Sequence, residues 1–349
     1  MATALSATCV IAGGGPAGVM AGFLLARAGV DVIVLEKHKD FLRDFRGDTI
    51  HPSTMQVMDE LGLPDDFLKV SHQDVKYAEG EIGGEHFRMA DFTHLPTRCK
   101  FIAFMPQWDF LNFLSEKAKA FAHFHLMMEA DAKSLLRDGE RVVGVRVQTK
   151  DGLLEIHADL VIGADGRHST LRDDAGLKAR DLGAPMDVLW FRLNHEKAEQ
   201  KMVLGRVEAG QMMVMLDRQT YWQCALIIRK GAFEKVKADG LEVQDAVAAA
   251  SILAAPLKNK KLSESDLAAV QKRRKFPTWT TQTMLLAIQN NLIDAVLKQA
   301  TPLKAPWFLK LFAAWPFLQR IPARIIGLGF RPEHVGPGLK KMFAEAGRG

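Results

Sequence analysis

Uninterrupted apolar runs closed by glycine turns mark the N-terminal part of the chain. Thr8-Cys9-Val10-Ile11-Ala12 ends at Gly13-Gly14-Gly15. A run without polar alternation predicts a strand buried on both faces, as in a parallel sheet. Residues 16–29 set Val19, Met20, Phe23, Leu24 and Leu25 on one stripe, which predicts a helix with Gly29 at its C-terminal end. Asp31-Val-Ile-Val-Leu-Glu36 predicts a second buried strand and completes a β-α-β unit. A short helix is expected over 53–62 with Ser53 as N-cap, and a longer one from Pro106 to Ala122 with Phe110, Leu111, Leu114 and Ala118 inward. Phe124–Met128 reads as a strand, Val142–Gln148 with Leu153–His157 as a hairpin, and Asp159–Ala164 as a further buried strand.

The pattern then changes twice. Residues 186–194, 201–207, 211–217 and 221–229 alternate between apolar and polar, which predicts an antiparallel sheet; residues 76–104, broken by Gly83-Gly84 and Pro96, are expected to add strands to it. After Ile228 the chain reads as helices, with breaks expected at Pro256, Pro277, Pro302, Pro306, Pro316 and Pro322. The fold class is therefore α/β with an α+β second layer. Residues 1–75 and 105–185 form the two parts of a Rossmann-like layer, 76–104 and 186–230 form the second layer, and 244–349 form a helical C-terminal part.

Composition adds constraints. The chain has 349 residues, 48% apolar and 25% charged, which excludes a disordered or collagen-like protein. Three cysteines, Cys9, Cys99 and Cys224, form no CxxC pair, so neither a disulfide framework nor a structural zinc site is expected, and a reducing cytoplasm suits the chain. The net charge is +5, but residues 298–349 hold nine basic and two acidic residues. The basic surplus belongs to this C-terminal part, not to a nucleic-acid-binding face. The first residues read as a strand and not as a signal peptide, and no run is long and apolar enough to span a membrane. Within 302–330, Trp307, Phe308, Phe312, Trp315, Phe317 and Ile321 interleave with Lys304, Lys310, Arg320 and Arg324. Such a segment covers the core of its own domain, or lies on a membrane surface, or forms a dimer face.

Two motifs carry chemistry. Gly13-x-Gly15-x-x-Gly18 falls between a predicted strand and a predicted helix and includes Pro16 and Ala17. The first glycine permits the turn, the second lets backbone approach a pyrophosphate, and the third lets helix and strand pack closely. Glu36, followed by Lys37, ends the next strand, where its carboxylate can accept both hydroxyls of an adenosine ribose. The second motif, Gly163-Ala-Asp165-Gly166-Arg167-His-Ser169-x-x-Arg172, follows a buried strand, at the sheet edge where α/β proteins bind ligands. The eleven histidines are scattered and suggest no metal ligand set.

Together with Phe-Arg46-Gly-Asp-Thr-Ile-His-Pro-Ser-Thr at 45–54 and Met105-Pro106-Gln107, these motifs resemble the FAD-dependent aromatic hydroxylases, the p-hydroxybenzoate hydroxylase-like flavoprotein monooxygenases. The resemblance runs through 8–230 and resumes at about Gln244. It implies that Gly13, Gly15 and Gly18 hold the FAD pyrophosphate, with Glu36 on the ribose and Arg46 over the pyrophosphate. Gln107 would meet the ribityl chain or phosphate, Ala132 the adenine end, and Asp165 with Gly166 the flavin side. It also implies NAD(P)H as co-substrate and an aromatic or otherwise hydrophobic small molecule hydroxylated with O2.

One family motif has no counterpart. The sequence contains a single Gly-Asp pair, Gly47-Asp48, which belongs to the Arg46 segment. The strand ending in Gly-Asp, and the start of the helix that faces the flavin, are missing where they are expected, between Ile228 and Gln244. Weakened or absent FAD binding, low turnover and an exposed sheet edge are expected in consequence. A related flavin reductase and a non-catalytic remnant that binds a hydrophobic ligand or partner are the competing readings. The Trp-x-Trp-x-Ile-Pro signature of flavin halogenases is absent.

Overall fold

The computed structural model describes residues 4–42, 49–179, 186–194, 205–208, 210–217, 221–229, 243–298 and 306–347. The N-terminal unit is β1 (Ala4–Ala12), α1 (Pro16–Arg27) and β2 (Val32–Glu36). Every residue of β2, and Cys9 to Ala12 of β1, is buried, as continuous apolar runs require. β3 (Thr49–Ile50), α2 (Pro52–Glu60), α3 (Pro64–Phe67), β4 (Gln73–Val75), β5 (Tyr77–Ile82), β6 (Glu85–Asp91) and β7 (Ile102–Phe104) follow. α2 starts one residue earlier than expected. His51 is its cap residue and Pro52 opens it, because proline's fixed φ suits a first helical turn whose N–H groups have no intrahelical partner.

After α4 (Gln107–Ala118) come β8 (Phe124–Met128), β9 (Asp131–Asp138), β10 (Arg141–Thr149) and β11 (Gly152–Gly163). The first sheet has the order β8-β2-β1-β11-β10-β9. β11 is one strand of 12 residues, where the sequence pattern suggested two short ones. Its first half pairs antiparallel with β10, from Gly152 to His157, while the stretch from Glu155 to Gly163 runs parallel to β1. Side chains alternate across this sheet. Cys9, Ile11, Val32 and Val34 join the core beneath the helices, while Val10, Ala12, Ile33 and Leu35 pack with Ala132, Val145 and Val147 on the other face.

The second sheet draws on three stretches of the chain. After α5 (Thr170–Asp174), the strands β12 (Met186–Asn194), β13 (Gly205–Glu208), β14 (Gln211–Asp217) and β15 (Tyr221–Arg229) continue the order β12-β15-β14-β13-β5-β6. β13 pairs parallel with β5, which ties residues 77–91 to this layer. Cys224 of β15 is fully buried, and Cys99, just before β7, is nearly so.

The helical part comprises α6 (Val243–Lys258), α7 (Glu264–Ile288), α8 (Asp294–Lys298), α9 (Trp307–Ala314), α10 (Arg320–Leu328) and α11 (Pro337–Ala346). Three expected breaks do not occur: Pro256 lies inside α6, Pro277 inside α7, and Pro322 in the first turn of α10, where its missing N–H costs no intrahelical bond. Pro256 stands two residues before the end of its helix, so the hydrogen bond it removes belongs to the last turn. Pro277 is buried, one turn beyond Arg273 and Arg274, which anchor the helix. α6 packs along α1, closing the helical face of the first sheet. No described helix is long and apolar enough to cross a membrane.

Candidate functional site

β1 is flanked by β2 on one side and by β11 on the other, all three parallel, so their C-terminal ends lie side by side at the edge where α/β sheets form a ligand crevice. Three sequence motifs meet there. Gly13 donates its N–H to the Leu35 carbonyl at 2.8 Å and adopts φ +111°. A Cβ on Gly13 would stand 2.2 Å from the Ala164 carbonyl oxygen, and one on Gly18 would stand 1.9 Å from the Gly13 carbonyl oxygen. The first and third glycines are thus fixed by the protein's own packing. A Cβ on Gly15 would meet nothing within 4 Å.

Gly15 is the N-cap of α1, with no side-chain cap, and Pro16 and Ala17 begin the helix. The first-turn N–H groups therefore lack a side-chain acceptor, and the positive end of the helix dipole faces the crevice. Glu36 stands beside this turn and is only 4% exposed. One carboxylate oxygen accepts the Gly14 N–H at 3.2 Å and the other accepts the His38 N–H at 2.9 Å. Lys37 points to solvent.

The Asp165–Gly166 loop closes the other side of the crevice. Ala164 donates its N–H to the Ala12 carbonyl at 2.7 Å, which holds this loop against the glycine turn. Asp165 Oδ2 accepts the Leu171 N–H at 3.3 Å, while Oδ1 is buried with no hydrogen-bond partner among the described residues. Ser169 caps α5 by accepting the Arg172 N–H at 3.0 Å, as the Ser-x-x-Arg spacing allows.

The remaining expected residues lie elsewhere. Gln107 is the first residue of α4, which packs on α1. Ala132 is buried in β9 opposite Val147, on the sheet face away from the helices. Arg46 lies outside the described residues, as do Gly47-Asp48 and residues 230–242, where the missing block was expected to join.

Sequence reading missed Gly14 and His38, whose backbone N–H groups orient Glu36, because a backbone donor leaves no residue-type signal. It also missed a buried ion-pair cluster that fastens the helical part. Glu333, 3% exposed, accepts from Arg273 at 2.6 Å and lies 3.6 Å from Arg274, while Arg274 binds Asp245 at 2.6 Å. Gln244 Oε1 accepts the Glu333 N–H at 2.6 Å.

β11 carries an edge that no described strand covers. Beyond His157, residues 158–163 have β1 on one side and no strand on the other among the described residues. Leu160, Val161 and Ile162 are partly exposed, whereas their β1 partners Cys9, Val10 and Ile11 are fully buried.

Comparison with known proteins agrees with this geometry. The anhydrotetracycline hydroxylase OxyS from Streptomyces rimosus superposes with a TM-score of 0.72 at 18% identity, over 95% of this chain and 78% of that one, a likeness of fold. In sequence, the 6-methylpretetramide 4-monooxygenase of Streptomyces rimosus is 30% identical over 186 residues, 53% of this chain and 44% of that protein. A dialkyldecalin synthase of Streptomyces rugosporus is 29% identical over 224 residues, 59% of this chain and 42% of that protein. The chain thus spans less than half the length of these curated relatives. Residues 6–234 match the family described as the FAD binding domain. With well over half of its length matched and the glycine turn, Glu36 and Asp165 loop gathered at one sheet edge, the chain belongs to this FAD-binding family.

Proposed function

We propose that the chain is an FAD-dependent monooxygenase that hydroxylates an aromatic or other hydrophobic small molecule with NAD(P)H and O2, in a cytoplasmic setting. The observation that carries this reading is the convergence of three features on one crevice. These are an uncapped helix N-terminus beside the open Gly15 position, the buried Glu36 carboxylate, and the buried, unpartnered Oδ1 of Asp165. They suit FAD: the α1 N-terminus and Gly15 for the pyrophosphate, Glu36 for the ribose, and Asp165 for a donor on the flavin side. Ala132, Gln107 and Arg46 complete the set on the strength of the resemblance. When bound, FAD supplies the redox chemistry between NAD(P)H and O2. The protein's part is to bind, to orient the hydrophobic substrate against the second sheet, and to exclude water. On this reading 1–75 and 105–185 bind FAD, 76–104 and 186–230 take the substrate, and 244–349 supports both.

The edge of β11, left without a strand partner among the described residues, favours a second reading, a flavoprotein or remnant of the family that holds a hydrophobic ligand without hydroxylating it. The purified chain separates the two. The monooxygenase reading expects flavin absorbance that increases on FAD titration, weaker in affinity than a complete pocket gives, and NAD(P)H oxidation stimulated by an aromatic substrate. FAD binding without any such oxidation selects the second reading, and no binding at millimolar FAD rejects both.

A further inference from the structure

α9, the 3-10 turn Pro316–Gln319 and α10 form a layer with two unlike faces. The inner face holds Leu309, Gln319, Ala323, Gly327 and Leu328, all buried, and rests on β6 and on the Phe92–His94 turn. The outer face is aromatic and aliphatic: Trp307 is 76% exposed, Trp315 56%, Phe317 59% and Ile321 58%. Trp315 and Phe317 stack at 6.3 Å between ring centroids and form one apolar cluster. Phe317, Arg320, Ile321 and Arg324 follow the i, i+3, i+4, i+7 spacing of a single helical stripe, and all four are exposed.

Charge identifies what this face meets. From Pro306 to Pro332 the sequence holds no Asp or Glu, while Lys310, Arg320, Arg324 and Arg331 are all exposed and none is ion-paired with a described residue. Tryptophan and phenylalanine beside arginines that no described carboxylate pairs match the headgroup region of an anionic bilayer, where rings enter the interface and guanidinium groups reach phosphates. A second copy of the chain would bring an equally basic face and so set like charges together.

We propose that the outer face of Pro306–Arg331 docks on an anionic lipid surface. The inference holds whether or not FAD is bound, because none of these residues lies at the crevice. Flotation of the full chain with vesicles of phosphatidylcholine plus phosphatidylglycerol tests it. The protein is expected to float with these vesicles, to float poorly with phosphatidylcholine alone, and to be released by salt. Arg320→Gln together with Arg324→Gln should lower partitioning about twenty-five-fold, roughly five-fold per charge. Trp315→Ser with Phe317→Ser should abolish binding, while Lys150→Gln, in a remote turn, should change nothing; circular dichroism confirms that each variant is folded. Absence of binding to the anionic vesicles, or equal binding by all variants, overturns the proposal. A dimer in sedimentation that Trp315→Ser with Phe317→Ser disperses, with no vesicle binding, overturns it in favour of a self-association face.

Discussion

Gly13 and Gly15 stand two residues apart and lack side chains for opposite reasons. At Gly13 the protein itself forbids a Cβ, through φ +111° and the Ala164 carbonyl. Gly13→Ala should therefore destabilise the ligand-free protein by at least about 2 kcal/mol, read in thermal melts. At Gly15 the space is open and φ is −73°, so Gly15→Ala should leave the ligand-free protein within about 0.5 kcal/mol of wild type. The same variant should weaken FAD binding, because only a ligand needs that space. Equal FAD affinity for Gly15→Ala and wild type would remove Gly15 from the pyrophosphate site. Glu36 offers a complementary test. Glu36→Ala strips two backbone N–H groups of their acceptor and should cost about 1–3 kcal/mol, with Glu36→Gln milder because an acceptor remains. His51 carries a pH signature. Burial pushes its pKa below the usual value, against the opposing bond from its Nδ1 to the Ile326 carbonyl. The folded protein then binds fewer protons than the unfolded chain between that lowered pKa and about 6.5, so this contribution is present at higher pH and lost as pH falls below about 6.5. Melts of wild type and His51→Gln across this range should diverge on the acid side only if the assignment is right.

Among the elements, β11 shows what a sequence pattern can and cannot convey. The apolar run to Gly163 marked its buried half, and the Lys150-Asp151-Gly152 turn marked its start, but nothing local joined them across His157-Ala158. Continuity comes from β1, whose register with β11 is unbroken from Ala4 to Ala12. Ala164 bonds to β1, so by alternation the N–H groups of Asp159, Val161 and Gly163 face the open side. Hydrogen exchange should be fast at these three amides and slow at Leu160 and Ile162. Uniform protection along 159–163 would mean that the edge is covered. The proline reading failed for a related reason. Proline weakens a helix locally, whereas α7 is held by contacts distant in sequence, from Arg273 and Arg274 to Glu333 and Asp245. Removing one side of that cluster should be felt: Glu333→Ala leaves Arg273 without its carboxylate and Arg274 with Asp245 alone, and should cost about 2 kcal/mol by denaturant unfolding.

At the scale of the whole molecule, the β-α-β unit and both nucleotide motifs were legible because each is a local pattern with a fixed spacing. That 77–91 joins the second sheet was expected from its pattern, but the parallel pairing that joins it was not, since the alternation predicts antiparallel strands. The pairing of β5 with β13 joins residues more than a hundred positions apart, and no spacing rule connects Gly80 to Gly205. The C-terminal layer was half legible, since amphipathic spacing shows that two faces exist but not which one the protein covers. The three buried cysteines lie in different parts of this architecture: Cys9 in β1, Cys224 in β15 and Cys99 beside β7. Burial raises the pKa of each thiol, which suppresses the reactive thiolate while the protein is closed. Alkylation in native buffer then becomes a clock with three hands. Each cysteine reacts only as often as its own layer opens, so peptide-resolved iodoacetamide labelling should time the breathing of each layer separately, with Cys9 slowest.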